Sequence, residues 1–529
     1  MSEATLAVLN ANVITLNSEQ PKAEAIAVRN GEIFVVGSNE EIRRYISKDA
    51  KIIDGKNRTI VPGLVDCHVH MTGFSHSLLN LDLRNVRSIK EMQLKLREYA
   101  AKNGGEEWIL GGRWDQERLV EKRCPTRWDL DAVVSNRPVF LTRVCGHIAV
   151  ANSKALQLAG IGKETAVAGG QVDLDEKTGE PSGVVRENVL ELVWKAVPKP
   201  SLERLEDVCV LACERAVEAG LTGVHWLVGS ADEIRVLQKL NSEGRLPLRV
   251  YLGVPVEFLD ELVRLGMVTG FGNDMVKIGF VKILSDGSLG ARTAALREPY
   301  SDKPETCGMM LYSQRKLDQL VLKAHCAGLQ LGVHAIGDRA VENVLRAFEK
   351  ALKKFPREDH RHRIEHCSIL NPRLIKRMRR LGLIASVQPH FVVSDFWTVN
   401  RVGKERAHWA YPFKTLFDAG LVVVSGSDCP VEKINPLLGV WAAVDRRDLA
   451  EESLTMEEAL KTYTLNSAYA SFDEDKKGTI EVGKLADFTI LSDDLSRVQP
   501  GKIREVAVEM TVVGGRIVYA SEDFSKGIC

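Results

Sequence analysis

Two histidines stand two residues apart, His68 and His70, in the run Val65-Asp66-Cys67-His68-Val69-His70. On a β-strand alternate side chains share a face, so both imidazoles point the same way. On a helix they would diverge by about 200°. Two imidazoles on one face of a strand end can chelate one metal ion. A lone pair of this kind reads equally well as surface histidines, but the Pro62-Gly63 turn just before it and the parallel-sheet context favour ligation. Single histidines close two more β-like runs, His334 in LQLGVHA and His366 in RIEHC, each followed by helix-forming sequence. Four histidines at three strand ends, in a chain that has 12, point to a metal centre. Imidazole is the commonest metal ligand and suits zinc, iron or manganese. Asp428 closes LVVVSGSD. A carboxylate there needs a partner if it is buried, and coordination would supply one; a helix cap or turn is the other reading. Lys282, inside GFVKILSDG, is costly in an apolar strand unless paired or chemically altered. Lys277 competes with it but lies nearer the start of that strand.

These residues need elements to hold them. Short apolar strands alternate with amphipathic helical stretches through the middle of the chain, the signature of βα units and a parallel sheet. Nine strand candidates occur: LVDCHV, PVFLTRV, TGVHWL, LRVYLGV, VKILSDG, LQLGVHA, RIEHCSI, IASVQPH and LVVVSGSD. A TIM barrel has eight, and its active residues sit at the C-terminal ends of the strands. The gap from His70 to Thr222 is too long for one crossover helix, so PVFLTRV is assigned to an insertion after barrel strand 1. The alternative keeps PVFLTRV in the barrel and removes LRVYLGV. Both chain ends are β-rich and broken by turns such as Asn30-Gly31, Asp54-Gly55 and Gly514-Gly515. The expected fold class is therefore α/β: a TIM (β/α)8 barrel over 63–74 and 201–475, an α+β insertion over 75–200, and a composite β-sandwich from 1–62 and 476–529.

In order and strand position, HVH, the strand lysine, GVH, IEH and SGSD resemble the amidohydrolase superfamily. VPGLVDCHVH is similar to its first-strand motif. GGRWDQ, CGHIAVANSKAL, VKILSDGSLGARTA, VHAIGDRAV and GSDCPV resemble the amidohydrolase-3 type, and within it the N-substituted formamide deformylase-like (YtcJ-like) branch. The likeness runs over essentially the whole chain. It implies that His68, His70 and Asp428 hold the more buried metal and that His334 and His366 hold a second position. It also implies that Lys282 bridges the two as a carbamate. One or two divalent transition metal ions are expected, zinc first. The implied reaction is hydrolysis of an amide, formamide or cyclic amide C–N bond by metal-activated water. Asp428 would be the general base, and His366 or a donor from the insertion would stabilise the oxyanion. A metal-dependent esterase, lactonase or phosphoesterase on the same barrel is the alternative, and a non-catalytic binding relative a further one.

Composition narrows the remaining classes. Lys+Arg and Asp+Glu both total 71, so there is no basic excess of the kind that marks nucleic-acid binding. No apolar run approaches the roughly 20 residues of a membrane span. The N-terminus lacks the pattern of a secretory signal, and the ten cysteines form no CxxC pair or regular framework. A cytoplasmic enzyme acting on a small molecule is expected, with no nucleic-acid or membrane partner and with a homodimer as the first assumption.

Substrate contacts are expected from the insertion. His147 follows PVFLTRV at Cys145-Gly146, ahead of a helix expected over Ala149–Leu158 and capped near Asn152-Ser153. Attached after strand 1, the insertion can act as a lid, with His147 on the substrate and Trp114 as an apolar wall; the other reading of His147 is a bond to local backbone. Trp226, Trp397 and Trp409 are further wall candidates. Arg292, in the glycine-rich DGSLGART loop, could reach a carboxylate or carbonyl, and His390 in QPHF could approach the pocket. His408 is a weaker candidate. His225 reads first as a satisfied core histidine.

Overall fold

A computed structural model describes residues 3–102, 108–198 and 201–525. Eight parallel strands form its central sheet: β1 (Leu64–Val69), β2 (Leu221–Leu227), β3 (Arg249–Pro255), β4 (Val276–Leu284), β5 (Gln330–Ala335), β6 (Arg363–His366), β7 (Ile384–Val387) and β8 (Val423–Ser425). Each pairs in sequence order with the next, the arrangement of a nearly closed TIM-like barrel. Runs such as VHWL in β2 and VVS in β8 are buried on both faces, as parallel strands covered by helices must be.

Amphipathic helices cover the outside. Leu202–Glu218 buries Leu205, Val208, Cys209, Ala212, Cys213, Ala216 and Val217, one apolar stripe at helical spacing. Its start is set by Ser201, whose side chain accepts from the amide of Arg204.

Val139–Arg143, the PVFLTRV run, lies outside the barrel sheet. It pairs with Ile109–Trp114 and Ile148–Ala151 in a six-stranded sheet drawn from residues 81–187, while LRVYLGV supplies β3. The helix expected from Ala149 begins only at Ser153, with Asn152 as its cap. Ala149 and Ala151 are instead in strand, because Ile148–Ala151 fills the place between two neighbouring strands.

Strands from both chain ends share one sheet. Thr59–Pro62 pairs antiparallel with Phe488–Leu491, and a four-stranded sheet of residues 4–54 packs against the same apolar cluster, which includes Leu6, Val8, Ile26, Phe488 and Ile490. Thr59–Pro62 then runs through Gly63 into β1. Asp487 fastens this region to the barrel by accepting two hydrogen bonds from Arg249 of β3, at 2.6 and 2.9 Å.

Candidate metal centre and active site

The barrel closes where its candidate ligands are. β1 and β8 share no regular ladder, but beyond the end of β8 the amide of Asp428 donates to the carbonyl of His68 at 2.7 Å, and the amide of His70 to that of Cys429 at 2.8 Å. Gly426 permits this approach, since a Cβ there would lie 2.5 Å from the amide nitrogen of His68. Buried Asp66 ties the same seam, accepting from the amides of His68 (3.1 Å) and Ser427 (3.0 Å). Burial pushes its carboxyl up to about 7.

Nε2 of His68 and Nε2 of His70 lie 3.5 and 3.4 Å from Oδ1 of Asp428. Ligand atoms of these three side chains all fall within 4.8 Å of one another, a set that could hold a metal ion. The donor chemistry fits. Nδ1 of His68 is bound to Glu365 at 2.5 Å, which leaves Nε2 directed at the other members. A carboxylate behind a ligating imidazole fixes its tautomer and raises its basicity. Burial would raise the Asp428 carboxyl, but His68, His70 and Lys282 outweigh that and hold it down to about 2. Burial and Lys282 lower His68 to about 4, keeping it neutral as a ligand must be.

Lys282 reaches the same point. Its Nζ lies 3.2 Å from Nε2 of His68, whereas Lys277 turns to Asp473 at the far end of the strand. Burial lowers the Lys282 amine to about 8, against the opposing pull of Glu365 and Asp428. The rings of His366 and His334 continue the row: His366 stands 4.8 Å from His68 and 4.4 Å from His334, centroid to centroid. Strand alternation would send Glu365 and His366 to opposite faces. His366 instead takes a left-handed backbone (φ 76°), and Asp428 does the same (φ 54°). Such conformations are costly for residues other than glycine and are concentrated at functional sites. Nδ1 of His366 is held by Gln388 at 2.8 Å, and Nε2 of His334 lies 3.0 Å from the carbonyl of Gly287.

A cavity of about 210 Å³ lies between this row and the six-stranded segment. His147 lines it, its ring 5.6 Å from that of His334. Nδ1 of His147 is bound to Glu187 at 2.7 Å. Burial opposes the charge on His147, but Glu187 prevails and raises it to about 9.

Other expected contacts are differently placed. Trp114 is fully buried, its indole N–H donating to the carbonyl of Leu141, because the register shift between Gly112 and Trp114 breaks the alternation of the strand and turns it into the same core as Ile109; it gives the cavity no wall. Trp226 is likewise core, with its N–H on Glu233. Trp397 does line the cavity. Arg292 is turned away and paired with Asp302 at 2.9 Å. His390 stands behind the lining and binds Glu432, which itself faces the cavity, at 2.5 Å. His408 ends a helix, and His225 is buried beside Arg363 at 2.7 Å.

Sequence reading passed over Glu365. It is fully buried, accepts from Arg363 at 2.5 Å and orients His68. The R-x-E alternation just before His366 is the one local signal, since it puts both charges on the barrel interior. Glu187, Asp66 and Gln388 carried no such mark.

The sequence profile of the amidohydrolase family matches residues 51–519. YtcJ of Bacillus subtilis (strain 168) is 35% identical over 523 residues, covering 96% of this chain and 98% of that protein. The N-substituted formamide deformylase of Arthrobacter pascens is 28% identical, covering 97% and 98%. A solved structure, an uncharacterized metal-dependent hydrolase from Pyrococcus horikoshii OT3, superposes with a TM-score of 0.78 at 32% identity, over 94% of this chain and 99% of that one. No helix among the described residues is long and apolar enough to cross a membrane. With a profile match over most of its length and full-length relatives above 30% identity, the chain belongs to the amidohydrolase family.

Proposed function

We propose that the protein is a metal-dependent hydrolase that cleaves the C–N bond of a small amide, formamide or cyclic amide. The observation that carries this reading is the convergence of His68, His70 and Asp428 at the barrel mouth, facing a cavity that His147 lines from the other side. The naming of one relative as an N-substituted formamide deformylase supports the choice of bond.

In this reading His68, His70 and Asp428 hold one divalent ion, zinc first, and His334, His366 and Lys282 stand where a second could be shared. The bound metal supplies acidified water and polarises the carbonyl to be attacked. Asp428 takes a proton from the attacking water and passes it to the leaving nitrogen, a role that suits a carboxylate ionised at neutral pH. His366 faces the developing oxyanion, held in place by Gln388. Lys282 can serve as an anionic ligand after its neutral amine adds to carbon dioxide, forming an N–C bond and releasing one proton. His147, fixed by Glu187, donates to a polar atom of the substrate.

The test is a substrate screen on metal-reconstituted protein, with N-formyl and N-acyl amines set against lactone and phosphoester panels. Turnover confined to the amides is expected. Turnover confined to phosphoesters or lactones would reverse the choice of bond.

A further inference from the structure

The cavity carries a guanidinium with no carboxylate of its own. Arg113 lines it and is only 8% exposed. Among the described residues it makes one hydrogen bond, from Nη2 to Oγ of Ser77, on the helix Met71–Leu79 that follows β1. Its Nε is buried with no partner, and among the described residues no carboxylate comes within ion-pair distance. The carboxylates lining the same cavity all have partners. Asp115 accepts from Arg143 at 2.8 Å, Asp395 from the Tyr411 hydroxyl at 2.5 Å, Glu432 is bound to His390, and Asp428 faces His68 and His70. Neighbouring Arg84 is satisfied by Asp82, at 2.9 and 2.6 Å. Arg118, also without a carboxylate, lies exposed at the rim, over the ring of Phe396.

Backbone geometry shows that this orientation is built. Arg113 is left-handed (φ 67°), and the pairing of its strand with Val139–Arg143 shifts register between Gly112 and Trp114. A bulge of this kind re-aims a side chain. Gly112 makes it possible: a Cβ there would fall 2.1 Å from the carbonyl oxygen of Thr142. Burial and the Arg84 charge lower the Arg113 pKa, and Asp82, which pairs with Arg84, opposes them only in part. A buried charge is costly unless paired, and the planar fork of arginine matches a carboxylate better than a point ammonium does.

We infer that Arg113 anchors a carboxylate on the substrate, so that the amide cleaved is of the N-acyl or N-formyl amino acid class. The inference rests on the amide-hydrolysis reading for the bond and on Arg113 alone for the anion. The full-length, metal-loaded protein is titrated with N-acetylphenylalanine, its methyl ester and inorganic phosphate while thermal unfolding is followed. The acid raises Tm; the ester and phosphate do not. Arg113→Met abolishes the shift, and Arg113→Lys, which keeps the charge and carries the test if the first variant does not fold, weakens binding at least about tenfold. An equal shift from the ester, a shift from phosphate as large as that from the acid, or an undiminished shift in either variant overturns the anchor. Hydrolysis is read separately with N-formylphenylalanine and its methyl ester. No cleavage of either, with the acid's Tm shift intact, refutes amide hydrolysis and leaves the anchor standing. Equal kcat/KM for both refutes the anchor.

Discussion

The amide of Asp428 donates to the carbonyl of His68 at 2.7 Å, so a residue just beyond the last barrel strand is bonded through backbone to a residue of the first. The His68–His70–Asp428 set therefore straddles the seam of the barrel. Its spacing is set by main-chain hydrogen bonds across that seam, which gives ligands the rigid support that a metal centre requires.

Removing two of the three ligands tests the centre directly. His68→Ala with His70→Ala is expected to lose most bound metal, measured by elemental analysis against about one to two equivalents in the parent protein. Full retention would place the centre elsewhere. Lys282→Ala is expected to lower the stoichiometry if the lysine is shared between two ions.

Glu365 acts through His68. Glu365→Gln keeps the size but weakens the bond that fixes the imidazole, and metal affinity should fall about 10–100-fold in competition with a chelator. An unchanged affinity would make the pair with Arg363 the whole role of this carboxylate.

Asp428→Asn removes the base. The rate constant kcat is expected to fall by about two orders of magnitude or more, compared at equal metal content. Near-parental turnover would move proton transfer to another group.

His147→Ala should lower kcat/KM at least about tenfold, with metal content and Tm unchanged, because the ring faces the cavity and its side-chain hydrogen bond among the described residues is to Glu187. A loss of Tm alongside activity would assign the histidine to local packing instead.

Acid stability has a contributor at the opposite end of the barrel. Nε2 of His325 faces the carbonyl of Phe355 at 2.7 Å, which leaves Nδ1 to accept from Nε2 of His362 at 2.9 Å. Nδ1 of His362 accepts the amide of Leu331, and His360 accepts the amide of His362 while facing the carbonyl of Leu381. All three rings are thus held neutral, and burial lowers all three pKa values, that of His362 well below normal. A histidine depressed in the folded state takes up its proton more readily when unfolded. Its stabilising contribution is present above the unfolded value, about 6.5, and is lost as pH falls below that. Tm should hold down to about pH 6.5 and decline beneath it, with a shallower decline in His360→Gln. A flat profile down to about pH 5 would refute the assignment.

Local pattern carried much of this protein. Alternation on β1 put His68 and His70 on one face, and the order of strand ends brought His334, His366 and Asp428 to the same rim, because a parallel barrel delivers every strand's C-terminal end to one side. What local pattern could not carry were relations between residues far apart in the chain. Glu365 meets His68 across 297 positions, and His147 meets His334 only because a separate sheet packs over the barrel mouth. Trp114 and Arg113 are neighbours whose roles separate through one bulge: the tryptophan turns into the core of its sheet and the arginine toward the cavity. A register shift depends on which strands become partners, and that choice is made by tertiary packing rather than by the residues of the strand itself.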